Sequence, residues 1–144
     1  IKRNEACLMS KEKRNPQMDI ADLPSDLCFN ADGLIPAIAQ QFDTGEVLMM
    51  AWMNAQSLAK TLQDGQVVYW SRSRQSLWRK GDSSGHIQRL ISCHFDCDGD
   101  TLLLLVEQTG AACHEGTRTC FAHQIEKDGK VVQNDTLMPI GRGR

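Results

Sequence analysis

An α+β fold, with mixed or antiparallel strands and one or two short helices, is predicted by three observations. Five or six short runs read as strands, their apolar residues alternating with polar ones or standing in brief blocks. One stretch carries a helix cap at its start and a helix stop just past its end. Turn residues punctuate the boundaries between runs. The 144 residues match one ordinary domain, with two small lobes as the alternative. Hydrophobic residues at 41% suffice for a core, and charged residues at 24% suit a water-facing surface.

Residues 1–18 are charged with little apolar periodicity. The first 30 residues therefore read as an arm, partly disordered or of foreign origin, ahead of a domain over 31–144. The apolar pattern begins over Ile35–Phe42, and Asp43-Thr44-Gly45 reads as a tight hairpin turn. Glu46–Met53 is expected to be a largely buried strand, with Trp52 in the core. Asn54 is placed to cap a short helix over Ala55–Gln63, and Gly65 lies just past its end. Val67–Ser71 is the next strand, with Trp70 in the core, and it runs into a basic loop over Arg72–Gly85. Ile87, Ile91, Cys93 and Phe95 alternate with more polar neighbours, which predicts a half-buried strand over 86–95. Leu102–Val106 is a further short apolar run, bounded by Asp100 and Gly110. Phe121–Glu126 and Lys130–Gln133 flank Asp128-Gly129, a strong hairpin signal. The tail Gly141–Arg144 is expected to fray.

A net charge of −2 gives no global attraction to nucleic acid or membrane, and neither partner is expected. Locally the balance differs: Arg72, Arg74, Arg79, Lys80 and Arg89 share a stretch whose single acid is Asp82. Such a patch suits phosphate on a small ligand better than a long duplex. The cysteines are Cys7, Cys28, Cys93, Cys97, Cys113 and Cys120. The polar start lacks a signal-peptide core, and the apolar run Leu102–Val106 is too short to span a bilayer. A cytoplasmic address with reduced, metal-bound or catalytic thiols is the resulting expectation.

Three constellations carry chemistry. In Asp96-Cys97-Asp98-Gly99-Asp100, an extended backbone would set the aspartates on one face and Cys97 on the other. Three like charges repel at this spacing, and a hard cation such as Mg²⁺ relieves the repulsion. The spacing to Glu107 imitates a calcium-binding EF-hand loop. Thr101 stands where that loop needs glycine, however, and a strand follows where it needs a helix. Cys97, Cys113 and Cys120 offer three thiolates, the ligand count of a catalytic zinc with an open position. Three thiolates overcompensate Zn²⁺, so a nearby base is useful, and His114 is the best placed. His94 would lie on the aspartate face, while His86 and His123 read as structural. The third group, Ser71-Arg72-Ser73-Arg74 with Trp78, Lys80-Gly81 and Ser83-Ser84-Gly85, offers hydroxyls, cationic forks and glycine amides to phosphate. Trp78 is the candidate for stacking on a base.

These segments resemble phosphoribosyl-AMP cyclohydrolase. The likeness runs in order through Leu48–Asn54, Tyr69–Arg74, Leu77–Gly81, Ser83-Ser84-Gly85, Asp96–Asp100 and Gln108–His114, ending at Cys120-Phe121. It implies hydrolysis of the N1–C6 bond of the adenine ring in 1-(5-phosphoribosyl)-AMP, a step of L-histidine biosynthesis, by zinc-activated water. It also implies an intertwined, obligate homodimer. Cys97 of one subunit would share zinc with Cys113 and Cys120 of the other, and Asp96, Asp98 and Asp100 would bind Mg²⁺. The substrate is a small nucleotide, with Arg72, Arg74, Trp78, Lys80, Ser83 and Ser84 as contacts and His114 handling the proton.

The chain departs from the family at Glu115, where threonine is usual, and the arm through roughly Cys28 has no counterpart. Without a pyrophosphohydrolase segment after residue 121, the expectation is a monofunctional chain or one cut short at Arg144. Two rivals remain at this point. A zinc-dependent nucleobase deaminase is imitated by Cys113-His114-Glu115 but lacks the Pro-Cys-x-x-Cys partner. A non-catalytic zinc module would instead need a fourth fixed ligand.

Overall fold

A computed structural model describes residues 18–134. Two apolar strands, β1 (Leu34–Gln41) and β2 (Val47–Asn54), pair antiparallel and start the main sheet. Ile35, Ala37 and Ala39 alternate inward from β1 and are fully buried. Helix α1 (Ala55–Asp64) follows directly. Asn54 Oδ1 accepts from Ser57 N at 2.8 Å, while Ser57 Oγ accepts from Asn54 N at 2.9 Å, a reciprocal cap. Gly65 ends the helix at φ 77°, a left-handed conformation that glycine adopts without a Cβ penalty. Leu58 and Thr61 face inward as α1 packs on β2 and the following strand, and burying Leu58 contributes about 2 kcal/mol.

The chain then adds β3 (Val68–Ser71) and β4 (Ser76–Arg79) on one side, crosses, and adds β5 (Gln88–Phe95) and β6 (Leu102–Gln108) on the other. The sheet order is β4-β3-β2-β1-β6-β5. Its pairings are antiparallel except β1 with β6, which run parallel in the middle of the sheet. Leu102, Leu104 and Val106 of β6 meet the alanines of β1 at the buried centre. A separate two-stranded sheet, β7 (His123–Ile125) with β8 (Val131–Gln133), forms the hairpin expected around Asp128-Gly129.

The α+β class holds, and the sheet is mixed. The strand count does not hold: among the described residues eight strands form where five or six are expected. β4 lies inside the stretch read as a basic loop, because Ser76 and Arg79 break the apolar pattern by which a strand is recognised. On β5 a bulge between Leu90 and Ser92 takes Ile91 out of the ladder. Ile91 is consequently exposed, Phe95 at the strand end is exposed as well, and Gln88 is the fully buried residue of the strand. β2 is less buried than expected, with Met50 42% exposed.

Of the arm read over residues 1–30, positions 1–17 lie outside the described residues, as does the tail Gly141–Arg144. Residues 18–30 contain a short 3-10 turn at Ile20–Asp22, and Leu23, Leu27 and Phe29 pack against the core. Backbone bonds anchor the segment, with Cys28 N donating to Gly99 O at 2.7 Å.

The end of α1 is tied to β4 by Arg79, whose Nη2 donates to Asp64 Oδ2 at 2.6 Å. That bond, opposed by desolvation and aided by Lys60, holds Asp64 below the usual carboxylate range. A depressed folded-state pKa means the stabilisation is present above the unfolded value near ~4 and is lost as pH falls through the folded value. The pair is partly exposed, so its worth is under about 1 kcal/mol. Asp64→Asn is expected to cost that amount at pH 7 and progressively less as pH falls below about 4, measured by urea unfolding across pH.

Candidate active site

An open groove of about 1260 Å³ lies over β2, β3 and β4 and is closed by residues 80–86 and 111–116. Trp52 and Trp70 sit opposite each other across β2 and β3, and Trp78 packs on Tyr69 with ring centroids 5.4 Å apart. These are the chain's 3 tryptophans, and the groove is lined by all of them. The expectation that Trp52 and Trp70 belong to the core is therefore corrected: both are half-buried groove walls. A strand's residue period tells which face a side chain takes, and this face of the sheet is open.

The basic patch is narrower than the sequence suggests. Arg79 pairs with Asp64, and Arg89 Nη2 pairs with Glu107 at 2.7 Å on the surface. Lys80 is buried, with its Nζ donating to Ala112 O at 2.6 Å. Arg72 and Arg74 remain exposed at the groove, on the β3–β4 turn, where Arg74 N donates to Ser71 Oγ at 3.2 Å. The Arg72 guanidinium stands 5.1 Å from the Trp52 ring centre. Ser83 and Ser84 line the same groove, exposed. Trp78, half-buried, completes that group.

The loop between β6 and β7 carries two of the thiols. Ala112 N donates to Arg118 O at 3.0 Å and Cys113 N to Thr117 O at 3.2 Å, folding the loop on itself. Cys120 N donates to Leu48 O at 2.7 Å, and the Thr119 hydroxyl donates to Val47 O at 2.8 Å, pinning its far end to β2. Cys113 and Cys120 are thereby brought into side-chain contact although seven residues apart. Burial, followed by the charge of Cys113, pushes the Cys120 thiol up to about 11, and Lys80 opposes the shift. His114 and Cys113 line the groove. Glu115 N donates to Cys113 Sγ at 3.5 Å.

Sequence reasoning missed Arg118, which shapes this loop. Its Nε donates to the buried Glu46 at 3.0 Å, and its Nη2 to Gln41 Oε1 at 2.9 Å. Nη1 donates to the carbonyls of Gln108 and Gly110 at 3.0 and 2.6 Å. Beneath it Tyr69 donates to Gln88 at 2.7 Å and Gln88 to Gln108 at 2.7 Å. Complete burial holds the Tyr69 phenol well above its usual range. No signal in the sequence marks these residues, since one arginine and scattered glutamines acquire partners only when four strands come together.

The aspartates converge, on a tight turn in place of the extended backbone considered from the sequence. Asp96 through Asp100 form the turn between β5 and β6, with Gly99 N donating to Asp96 O at 3.0 Å and Asp100 N to Asp96 Oδ1 at 3.1 Å. Gly99 sits at φ 73° with the Asp26 carbonyl where a Cβ would stand. Carboxylate oxygens of Asp96, Asp98 and Asp100 lie within 4.8 Å of one another, a spacing that suits a hard cation. Desolvation and then the charges of Asp98 and Asp96 hold Asp100 above the ordinary range.

Cys97 is exposed in this turn and joins no thiol of its own chain in a three-ligand cluster among the described residues. His94 pairs with Ser92 at 2.8 Å on β5. His86, read as structural, lines the groove, and His123 is exposed on β7. Cys93 is packed against the core, where burial pushes its thiol up to about 11.

A profile described as phosphoribosyl-AMP cyclohydrolase matches residues 49–122. The chain belongs to this family. A phosphoribosyl-AMP cyclohydrolase of Acidiphilium cryptum is 70% identical over 101 residues, covering 70% of this chain and 87% of the relative. The enzyme of Alkalilimnicola ehrlichii is 56% identical over 124 residues, covering 86% and 87%. That of Cereibacter sphaeroides strain KD131 is 63% identical over 115 residues, covering 80% and 97%. The phosphoribosyl-AMP cyclohydrolase match takes in the groove, the aspartate turn and the thiol loop, and leaves β1 and the β7–β8 hairpin outside. Among the described residues no helix is long and apolar enough to cross a membrane.

Removing the Arg118 guanidinium leaves the buried Glu46 carboxylate without its ion pair and takes the donor from two carbonyls. Arg118→Ala is expected to lower stability by about 3–5 kcal/mol, measured by denaturant unfolding.

Proposed function

We propose that the protein hydrolyses the N1–C6 bond of the adenine ring of 1-(5-phosphoribosyl)-AMP in L-histidine biosynthesis, in the cytoplasm. The observation that carries this reading is one groove in which Arg72, Arg74, Ser83, Ser84 and Trp78 face Cys113 and His114. Phosphate binds the cationic forks and hydroxyls, and the purine lies against the tryptophan wall. Water oxygen bonds to C6, His114 takes the proton released, and the N1–C6 bond breaks with a proton delivered to N1.

Cys113 and Cys120 are the chain's own half of a zinc site. Their mutual contact is support for a thiophilic cation, since a shared metal removes the repulsion of adjacent thiolates. Zinc held there supplies Lewis acidity that makes a bound water nucleophilic at neutral pH. Cys97 completes the ligand set only from a second copy. Cys120 is bonded to β2, whereas Cys97 lies beyond the start of β6, two strands away and further along the sheet. Strand spacing and rise make that roughly 15 Å within one chain. Exposed Val47, Met50, Phe121, Ile125 and Val131 give a homodimer apolar surface to bury. Asp96, Asp98 and Asp100 hold Mg²⁺ in this reading.

Ring opening of phosphoribosyl-AMP, followed by ultraviolet absorbance, is expected to be abolished by a zinc chelator and restored by Zn²⁺. Turnover indifferent to chelation would sink the zinc reading. His114→Ala is expected to lower kcat about 100-fold with little change in KM. Mixing inactive Cys97→Ser and Cys113→Ser proteins should regenerate about a quarter of wild-type turnover, because a mixed two-fold dimer keeps one intact site. No recovery from demonstrably mixed dimers would refute sharing.

A further inference from the structure

The groove residues divide in two. Arg72, Arg74, Ser83 and Ser84 are exposed and free to meet a ligand, whereas Lys80 is 7% exposed. Its backbone is fixed to the buried residue just before β3, with N donating to Val67 O at 3.0 Å. Its ammonium is used inside the protein, on the Ala112 carbonyl at 2.6 Å and against the Trp78 ring at 5.7 Å. Ala112 is itself buried and immediately precedes Cys113 and His114. The same ammonium interacts electrostatically with both Cys113 and Cys120.

A buried ammonium is costly unless hydrogen-bonded and paired with negative charge. One carbonyl satisfies one of its three donors and none of its charge. Cys113 and Cys120 become negative when a metal displaces their protons, and they then supply the charge that the ammonium faces. Three thiolates carry one negative charge more than Zn²⁺ neutralises, and an excess anion in a partly buried loop is unfavourable in turn. Each group thus supplies what the other lacks.

We propose that Lys80 is a positioning residue of the thiol loop, not a phosphate ligand: it anchors Ala112 and balances the excess negative charge of the zinc–thiolate set. This role is proposed in place of the substrate contact expected from the sequence, and it rests on the zinc reading above. Its charge acts through the loop and the ligands, so its removal weakens metal binding before it affects substrate binding.

The test is zinc affinity by chelator competition, with steady-state kinetics in zinc excess, on purified wild-type, Lys80→Gln and Lys80→Met proteins. Lys80→Gln keeps a donor for the Ala112 carbonyl and removes only the charge. It is expected to bind zinc about 10–100-fold more weakly, with KM for phosphoribosyl-AMP unchanged within about twofold. Lys80→Met, which also removes the bond to Ala112, is expected to lose more affinity. Should it fail to fold, Lys80→Gln carries the test. Wild-type zinc affinity in Lys80→Gln overturns the proposal, whether KM rises, as for a phosphate contact, or stays put, as for a purely structural residue. Such a result leaves wild-type zinc binding intact, whereas wild-type protein that binds no zinc overturns the zinc reading together with this one.

Discussion

Arg118 reaches from the thiol loop into the sheet and donates from three nitrogens to Glu46, Gln41 and the carbonyls of Gln108 and Gly110. Glu46 begins the approach to β2, Gln41 ends β1 and Gln108 ends β6, so a single planar group joins three strands to the loop that follows them. A guanidinium cannot shed its charge, and a buried carboxylate is tolerated only when paired. Between β6 and Cys120 the loop gives the hydrophobic core only Ala112. Its shape, and with it the meeting of Cys113 and Cys120, depends on this ionic fork and on the hydroxyl of Thr119 at its other end.

Satisfaction of buried polar atoms extends below the loop. Tyr69, Gln88 and Gln108 pass hydrogen bonds from β3 to β5 to β6, and the Gln108 amide nitrogen donates to the backbone carbonyls of His86 and Thr109. Among the described residues no buried side-chain nitrogen or oxygen lacks a partner. A network of this kind is rigid because each lost bond costs a full desolvation penalty, about 1–3 kcal/mol. Rigidity beneath, with exposed arginines and serines above, is the arrangement that the proposed binding of a phosphate-bearing substrate requires.

The parallel pairing of β1 with β6 governs the rest of the geometry. Because β6 enters the sheet alongside β1, the β5–β6 turn with its aspartates and Cys97 projects beyond one end of the strands. The groove and the thiol pair belong to the other half of the sheet, over β2 to β4. Two clusters of metal-ligand type are thus held apart on one chain, each by a tight loop whose backbone bonds fix its shape.

Much of this was legible in the sequence, and for local reasons. The Asn54–Ser57 cap, the Gly65 stop, the Asp128-Gly129 hairpin and the apolar blocks of β1 and β6 all follow from the chemistry of adjacent residues. So did membership of the family, because ordered short motifs survive without knowledge of the fold. The convergence of Asp96, Asp98 and Asp100 was also readable, though their backbone is a turn and not a strand. What the sequence could not decide was which faces remain open and which polar groups are buried. Trp52 and Trp70 read as core until the uncovered face of β2 and β3 made them walls. Ile91 read as buried until a bulge turned it outward. Lys80 read as one more cation in a basic loop, and Arg118 as nothing at all, until distant strands closed around them. Caps, turns and strand periods depend on neighbours in sequence, so the chain alone determines them. Burial and ion pairing depend on neighbours in space, and the tertiary structure alone supplies those.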